Sequence, residues 1–334
     1  YSSQVKNLQD DGLEANTVAK FLKSSKMQES LNENSVIVID EAGVLNSKQV
    51  EQILEVREKI GCQIVLLGDK AQTKAVEAGT PFEFLQNHGM ETTELKDIQR
   101  QKDLDLREAV ISSVQGDFEK SVNNLKNLYE VQSKDERHIA IVQKYLELSE
   151  SERDNTLIVA GTNADRRNIN ELIRDQLEIK GNGFDFEKLT KIDLTKAEKE
   201  KAINFNVGEY ITMSHVYGKD KKDGIVKDEP YKIIERNSKK NTLTIETENG
   251  NKEITITPKK TINSYTEEKI ELSIGDKIRI TTGNKDKGLV TGDIFEVKSL
   301  DKEKGLATLE DKKGNSVVLN SKEKNFIDHS YAMT

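Results

Sequence analysis

The residues best suited to chemistry stand at the ends of two apolar runs. Val36-Ile37-Val38-Ile39 leads straight into Asp40-Glu41, and Ile64-Val65-Leu66-Leu67 leads into Gly68-Asp69. Four apolar residues followed by two adjacent carboxylates have the shape of a Walker B strand. Such a strand end presents Asp40 to a Mg²⁺ ion carried by a nucleoside triphosphate, and Glu41 then orients and deprotonates the attacking water. The plainer alternative is a buried strand that happens to leave through acids. The second run continues as Gly68-Asp69-Lys70-Ala71-Gln72. An acid and an amide there, Asp69 and Gln72, can sense a γ-phosphate through hydrogen bonds; the alternative is a polar turn closed by Gly68. The third candidate is Arg100, within Leu95-Lys96-Asp97-Ile98-Gln99-Arg100-Gln101. A guanidinium reaching across a cleft stabilises charge on a transferring phosphoryl group, whereas a lone surface Arg in an ion pair contributes little. Each motif is weak alone. Asp40 and Gly68 gain weight from lying 28 residues apart at the ends of neighbouring strands.

Those residues need alternating strands and helices to hold them. Val36–Ile39 and Ile64–Leu67 are continuous apolar runs, as in strands of a buried parallel sheet. Between them, residues 47–60 place Val50, Ile53, Leu54 and Val56 at near-helical spacing, with Ser47 as the N-cap. Strand, helix, strand is a βαβ unit, and ligands of such sheets sit beyond the C-terminal strand ends. Residues 103–150 read as helices, with apolar positions at Leu106, Val110, Val114, Phe118, Val122, Leu125 and Leu128. Leu157-Ile158-Val159-Ala160 opens a further strand, followed by a helix over about 164–180. Thr162, Asn163, Arg166 and Arg167 fall where that strand ends and that helix starts. Backbone N–H groups there also favour phosphate; the alternative is a Thr/Asn cap on a solvated helix. Residues 180–202 read as a polar, irregular connector.

From Asn204 the apolar period changes to two, with short strands at 210–213, 231–236, 242–247 and 253–257. An internal repeat runs through them. Residues 224–255 align without gaps on 288–319 at an offset of 64, pairing Gly224 with Gly288, Tyr231 with Phe295, Thr244 with Thr308 and Gly250 with Gly314. Upstream, Val207-Gly208-Glu209 echoes Ile274-Gly275-Asp276. The simplest reading is two copies of one small β-barrel-like module, each of about 50 residues and so leaning on a neighbour. Tyr210, Tyr217, Tyr231 and Phe295 stand among lysines, a combination that can stack bases. Tyr231 and Phe295, matched inside strands, read better as equivalent core positions.

Composition sets the outer limits. The chain has 334 residues, a third of them charged, and no Trp. That length suggests about two domains. No run of 18 apolar residues spans a membrane, no signal region follows Tyr1, and the single Cys62 fits a reducing compartment. The formal charge of −8 argues at first against a nucleic-acid partner. It is uneven, however. Residues 1–150 hold 18 basic against 26 acidic side chains, while residues 151–334 hold 33 of each. Lysine clusters in the second half (Lys219, Lys221, Lys222; Lys239, Lys240; Lys259, Lys260) can track a phosphate backbone, or simply solvate loops. Lysine outnumbers arginine 41 to 10, which suggests an AT-rich genome.

The order of the three motifs, Asp40-Glu41-Ala42-Gly43, Gly68-Asp69-Lys70-Ala71-Gln72 and Ile98-Gln99-Arg100-Gln101, resembles motifs II, III and IV of RecD-like superfamily 1 helicases. It is most similar to the helicase part of TraI/TrwC-type conjugative relaxases. Gly12–Leu22 resembles the stretch before motif II, Thr156–Arg167 the opening of the second RecA-like domain, and Asp328–Thr334 the start of motif V. The resemblance implies an α/β fold: a RecA-like parallel-sheet domain over 1–102 and a helical segment over 103–152. The second RecA-like domain would begin over 153–203 and return over 321–334, with two inserted SH3-like β-barrel modules at 204–262 and 263–320. It implies ATP with Mg²⁺ as cofactors, held by Asp40 and Asp69, with Glu41, Gln72 and Arg100 catalytic. Single-stranded DNA would lie on Thr17, Thr162, Asn163, Arg166, Arg167 and Thr334. The family also implies a relaxase activity in another domain, 5′→3′ unwinding and recognition by a type IV secretion coupling protein; the chain is further expected to be a monomer in the bacterial cytoplasm that can pass to a recipient cell with DNA.

The departures shape the expectation. No Gly-x-x-x-x-Gly-Lys-Ser/Thr phosphate loop is present, and the pair Gly218-Lys219 is followed by Asp220. The missing start Met and the unfinished motif V read as a motor cut at both ends. This chain alone is therefore expected to bind no ATP of its own and not to hydrolyse it. A second reading is a non-catalytic copy, serving as a single-strand-binding or secretion-recognition module. Intact Asp40, Glu41, Gln72 and Arg100 favour the active copy. A third, a RecD-like repair helicase, fits the tandem β modules less well.

Overall fold

The computed structural model describes residues 2–69, 79–95, 100–216, 218–258, 260–284 and 288–334. The chain forms two compact units, Tyr1–Glu130 and Val131–Thr334. Gln72, with Lys70 and Ala71, lies outside the described residues, as do residues 96–99, Tyr217 and Lys259.

The first unit contains α1 (Ser2–Asp10), α2 (Val18–Lys23), α3 (Ser25–Glu29), β1 (Val36–Ile39), α4 (Ser47–Ile60), β2 (Gln63–Leu66), α5 (Pro81–Asn87), α6 (Leu104–Val114) and α7 (Phe118–Asn123). Strands β1 and β2 pair in parallel, from Val36 opposite Gln63 to Ile39 opposite Leu66, so β1-α4-β2 is the expected βαβ unit. Helix α4 is capped one residue earlier than read. Asn46, not Ser47, accepts the Gln49 N–H, and the Gln49 side chain returns the bond to the Asn46 N–H. The core gathers Ile39, Ala42, Leu45, Val50, Ile53 and Phe82. It covers only the sheet face carrying Ile37 and Ile39, so Val36 and Val38 stay more than half exposed.

The second unit contains α8 (Lys134–Leu146), α9 (Glu150–Arg153), β3 (Ile158–Val159), α10 (Asn163–Gln176), β4 (Phe184–Ile192), α11 (Lys196–Lys199) and β5 (Tyr210–Met213). It continues with β6 (Tyr231–Asn237), β7 (Thr242–Ile245), β8 (Lys252–Thr255), β9 (Ile262–Leu272), β10 (Lys277–Ile280), β11 (Ile294–Asp301), β12 (Leu306–Glu310), β13 (Ser316–Asn320), β14 (Ile327–His329) and β15 (Ala332–Met333). The helical stretch read at 103–152 is thus shared: α6 and α7 belong to the first unit and α8 to the second. At its far end the chain returns to β3, which β15 joins in parallel. Ile158, Ile169, Ile173, Val142, Tyr145 and Tyr331 form the core beneath that pair.

The repeat is geometric as well as sequential. β6, β7 and β8 correspond to β11, β12 and β13 at the offset of 64, and both copies carry a bulge at the same place, Ile233/Glu235 in one and Val297/Ser299 in the other. Gly208 and Ile233 exchange backbone hydrogen bonds with Ile233 and Glu209, and Gly275 and Val297 repeat this with Val297 and Asp276. The modules are open sheets, ordered β4-β9-β5-β6-β7-β8 and β13-β12-β11-β10-β14, rather than the expected closed barrels. The reason lies in β9. Its 11 residues run past β5 and pair with all of β4, so the first sheet is extended sideways instead of being closed. The connector read at 180–202 is in fact the nine-residue β4, concealed by its charges. Phe186 and Leu189 are core residues, yet Asp185, Glu187, Lys188 and Lys191 interleave with them.

β4 is entered through Gly183. A Cβ there would lie 1.8 Å from the Leu272 carbonyl oxygen and 2.5 Å from its carbon. Both are backbone atoms of a paired strand and cannot swing away. Gly183→Ala is expected to destabilise the second unit by about 3 kcal/mol, at the upper end of overpacking costs. Urea denaturation measures it, and a loss below about 1 kcal/mol would contradict this close approach.

Candidate nucleotide and nucleic-acid sites

In the first unit the candidate residues lie beyond the C-terminal ends of β1 and β2. The Ala42 N–H donates to the Leu67 carbonyl and the Leu67 N–H to the Ile39 carbonyl, both at 2.8 Å, which fastens the two strand exits together. Gly68 makes this possible. A Cβ on it would stand 3.1 Å from the nitrogens of both Ala42 and Gly43. Gly68 is therefore pressed against the turn that follows Asp40-Glu41. Asp40 is exposed, and its Oδ1 accepts the Glu41 N–H at 3.0 Å, while Oδ2 has no partner among the described residues. Glu41 adopts φ 53°, ψ 43°, the left-handed region. A side chain rarely sits there without a reason, and such strain gathers at functional sites. Asp69 is exposed beside this turn. Arg100 is exposed too, and among the described residues no hydrogen bond or ion pair ties it to Asp40 or Glu41.

Mg²⁺ held by one or two carboxylates plus substrate phosphates needs only an exposed acid at such a strand end. Among the described residues no group of three or more His, Cys, Asp or Glu side chains could hold a metal by itself. Asp40 fits the metal half of a Mg²⁺–nucleotide site. The phosphate half has no counterpart in this sequence, which lacks the Gly-x-x-x-x-Gly-Lys-Ser/Thr loop.

Thr17, also in the first unit, caps α2. Its Oγ1 accepts the Lys20 N–H at 3.2 Å, and the neighbouring Asn16 accepts the Lys20 ammonium.

In the second unit, Thr162, Asn163, Arg167 and Thr334 are exposed around the C-terminal ends of β3 and β15. Thr162 caps α10 by accepting the Asp165 N–H, and its hydroxyl donates to Asp165 Oδ2 at 2.6 Å. The Thr334 hydroxyl donates to Asn163 Oδ1 at 3.3 Å, and Arg167 lies one turn further on the same face. Arg166 departs from the expected set. It is buried, and its guanidinium holds Asp328 at 2.5 Å instead of facing a strand.

Sequence reading missed what supports this surface. Asp165 also accepts from Lys134 at 2.8 Å and from buried His138 at 3.0 Å, while Asn168 donates to the other His138 nitrogen. The Lys134 and Thr162 hydrogen bonds hold Asp165 down to about 2. Below lies a second network. Arg174 meets Asp276 through Nε at 2.7 Å and Nη2 at 3.0 Å, and Glu271 at 3.2 Å. Glu271 also accepts the Gly181 and Gly183 N–H groups, and Tyr331 donates to Asp276. Burial opposes ionisation of Glu271, but those N–H groups and Arg174 outweigh it and hold its carboxyl below the usual range. Asp328 is likewise depressed, because Lys188 and Arg166 outweigh its burial. Burial pushes the His329 imidazole down. These partners are about 100 residues apart in the chain, and only the Glu209–Asp276 match in the repeat marked Asp276 in advance.

Among the described aromatic residues of the modules, Tyr210, Tyr231 and Phe295 serve the fold. Tyr210 and Phe295 are buried. The Tyr231 hydroxyl accepts the Val226 N–H at 2.8 Å while its ring packs on the core. Lys260 is committed to buried Asp220 at 2.6 Å, whereas Lys239 and Lys240 are exposed in a turn.

Strand-end acids on a parallel βαβ unit, and a second α/β unit carrying β modules, are the arrangement that the motif order leads one to expect. Comparison with known proteins narrows this. A family model described as an AAA domain matches residues 2–136. The Multifunctional conjugation protein TraI of Escherichia coli is 24% identical over 383 residues, covering 99% of this chain and 21% of that protein. The Conjugal transfer protein TraA of Agrobacterium fabrum is 30% identical over 178 residues, covering 51% of this chain and 16% of its own length. Among solved structures, Bacteroides Pif1 bound to ssDNA covers 96% of this chain and 64% of its own, at 14% identity and a TM-score of 0.44. The chain is thus similar over nearly its whole length to TraI-type conjugation proteins and over about half of it to TraA. It spans about a fifth of the length of the TraI relatives. No helix among the described residues is long and apolar enough to cross a membrane.

Proposed function

We propose that this chain is part of an ATP-dependent 5′→3′ DNA helicase of a conjugative relaxase. In this reading it grips single-stranded DNA with the second unit and does not turn over ATP alone. The observation that carries the reading is the meeting of Asn163 and Thr334 at the ends of two parallel strands, beside a helix N-terminus and one turn from the exposed Arg167. That surface offers hydroxyl, amide, guanidinium and backbone N–H groups, the donors that hold a phosphate backbone without reading sequence. Thr17, in the first unit, and the exposed lysines would be further phosphate contacts. Asp40 would bind the Mg²⁺ of ATP, with Glu41 positioned to take the proton of the attacking water. Asp69 and Gln72 would sense the γ-phosphate, and Arg100 would stabilise it. Mg²⁺ supplies charge neutralisation on the phosphates when bound. The left-handed Glu41 favours the motor over a non-catalytic copy, since a binding module gains nothing from that strain. A type IV secretion coupling protein as partner, a cytoplasmic location and transfer with DNA belong to the same reading, through the conjugation relatives.

The test is fluorescence anisotropy of the 334-residue chain with labelled single strands across a salt series. Binding should weaken linearly on a log–log plot, and Arg167→Ala should flatten the slope by about 0.7, one phosphate contact on a single strand. Steady-state ATP turnover with DNA present should be absent. Negligible affinity at low salt removes the DNA reading, and turnover that Glu41→Gln abolishes removes the claim of inactivity.

A further inference from the structure

We infer that Asn170 is a positioning residue for the strand-binding surface, its carboxamide fixing where Thr334 lies against Asn163. The inference rests on the DNA reading above.

Helix α10 carries an unusual stripe. Asn163, Arg166, Asn170 and Arg174 recur at intervals of three and four, so they share one face. Three of the four are buried, with Arg166, Asn170 and Arg174 at 5%, 2% and 3% exposure. An apolar stripe would stabilise a core helix more simply, because buried polar groups cost free energy unless every one is satisfied. Here each side chain finds a partner in the end segment of the chain or next to it, although Arg166 Nε itself is left without one. Arg174 holds Asp276, to which Tyr331 also donates. Arg166 holds Asp328. Asn163 receives Thr334.

Asn170 makes the contact that sets register. Its Nδ2 donates to the His329 carbonyl at 3.1 Å and its Oδ1 accepts the Ala332 N–H at 2.6 Å. One side chain thus brackets residues 329–332 from both sides. Ala332 is the first residue of β15 and pairs with Ile158, and Thr334 follows two residues later. A strand of two residues has little hydrogen bonding of its own to fix register. The carboxamide supplies it with a donor and an acceptor on two separate atoms, which an aliphatic side chain lacks altogether and a hydroxyl offers only from one oxygen. The stripe therefore works as a ruler: two turns of α10 separate Asn170 from Asn163, and the chain end is laid along them.

The experiment is a double-mutant cycle on single-strand affinity, using Asn170→Ala, Thr334→Val and the pair in the 334-residue chain. Circular dichroism and melting establish that each is folded at the assay temperature; should Asn170→Ala fail to fold, Asn170→Ser replaces it. Asn170→Ala should weaken binding about 3–10-fold, the scale of one or two hydrogen bonds, with the salt slope of the parent chain, because no phosphate contact is removed. The pair should bind no more weakly than the weaker single variant. The inference is overturned if Asn170→Ala binds like the parent chain, or if the two effects multiply. A parent chain that binds no single strand overturns the DNA reading itself, and this inference with it.

Discussion

Arg174→Ala should remove about 3–5 kcal/mol from the stability of the second unit, the scale seen when one partner of a buried ion pair is deleted. Arg174 and Asp276 are 4% and 0% exposed at their side chains, and the guanidinium makes two parallel bonds to the carboxylate. Deleting the arginine leaves the Asp276 carboxyl in the interior with only the Ser273 N–H and the Tyr331 hydroxyl as donors. It also strips Glu271 of its cation. Replacing both partners at once, as Arg174→Met with Asp276→Leu, should recover much of the loss, since it removes the buried Asp276 carboxylate with its partner and leaves Glu271 on the Gly181 and Gly183 N–H groups. Acid should leave a second signature. Glu271 and Asp328 are held below the usual carboxylate range in the fold. A depressed folded pKa gives stability that is complete above the unfolded value and disappears as pH falls through the folded one. The parent chain should thus weaken progressively below about pH 4.5, and Arg174→Ala should weaken less steeply there because part of that contribution is already gone. Urea melts followed by far-ultraviolet circular dichroism at neutral and acidic pH measure both effects. A neutral-pH loss below about 1 kcal/mol, or a double variant as unstable as the single, would show the pair to be unimportant.

That network also marks the limit of what the sequence discloses. Local patterns were legible where one physical rule acted alone. The βαβ unit follows from two apolar runs and an amphipathic helix. The repeated modules follow from a constant offset that the strands and even the bulges obey. β4 was hidden because its outward positions are charged and Lys188 turns inward, so neither clean alternation nor a continuous apolar run remained. Lys188 is accommodated by Asp328 and Glu268, residues 140 and 80 positions away, and no local rule can anticipate such partners. The same applies to Arg166. Its type and place at a helix start suit a phosphate, and only the return of Asp328 to that helix turns it inward. Closure of the modules was misjudged for a related reason. Strand spacing reports how many strands there are, while the length of β9 decides which neighbours they take. The Asp40-Glu41 turn was legible by residue type, yet its backbone was not. Nothing in the letters announces a glutamate in the left-handed region.

That backbone separates activity from stability at Glu41. In a longer chain that couples these residues to a phosphate loop, Glu41→Gln should lower steady-state ATP turnover by roughly 10²–10⁴-fold, the usual worth of a positioned general base. Gln keeps the size and the backbone penalty, so the thermal midpoint should not move. Glu41→Gly should be equally inactive but more stable, by about 1 kcal/mol, because glycine enters the left-handed region without the Cβ clash that a φ of 53° imposes on glutamate. A structural glutamate would behave in the opposite way. Losing its contacts would destabilise the fold, and Gln, which preserves most of them, would retain turnover. Asp40→Asn offers an internal comparison. It leaves Glu41 in place but weakens the carboxylate that suits Mg²⁺, so its defect should shrink as Mg²⁺ is raised, whereas that of Glu41→Gln should not. Turnover near the parent value in Glu41→Gln, or a lower midpoint in Glu41→Gly, would mean that the strained turn serves the fold rather than the chemistry.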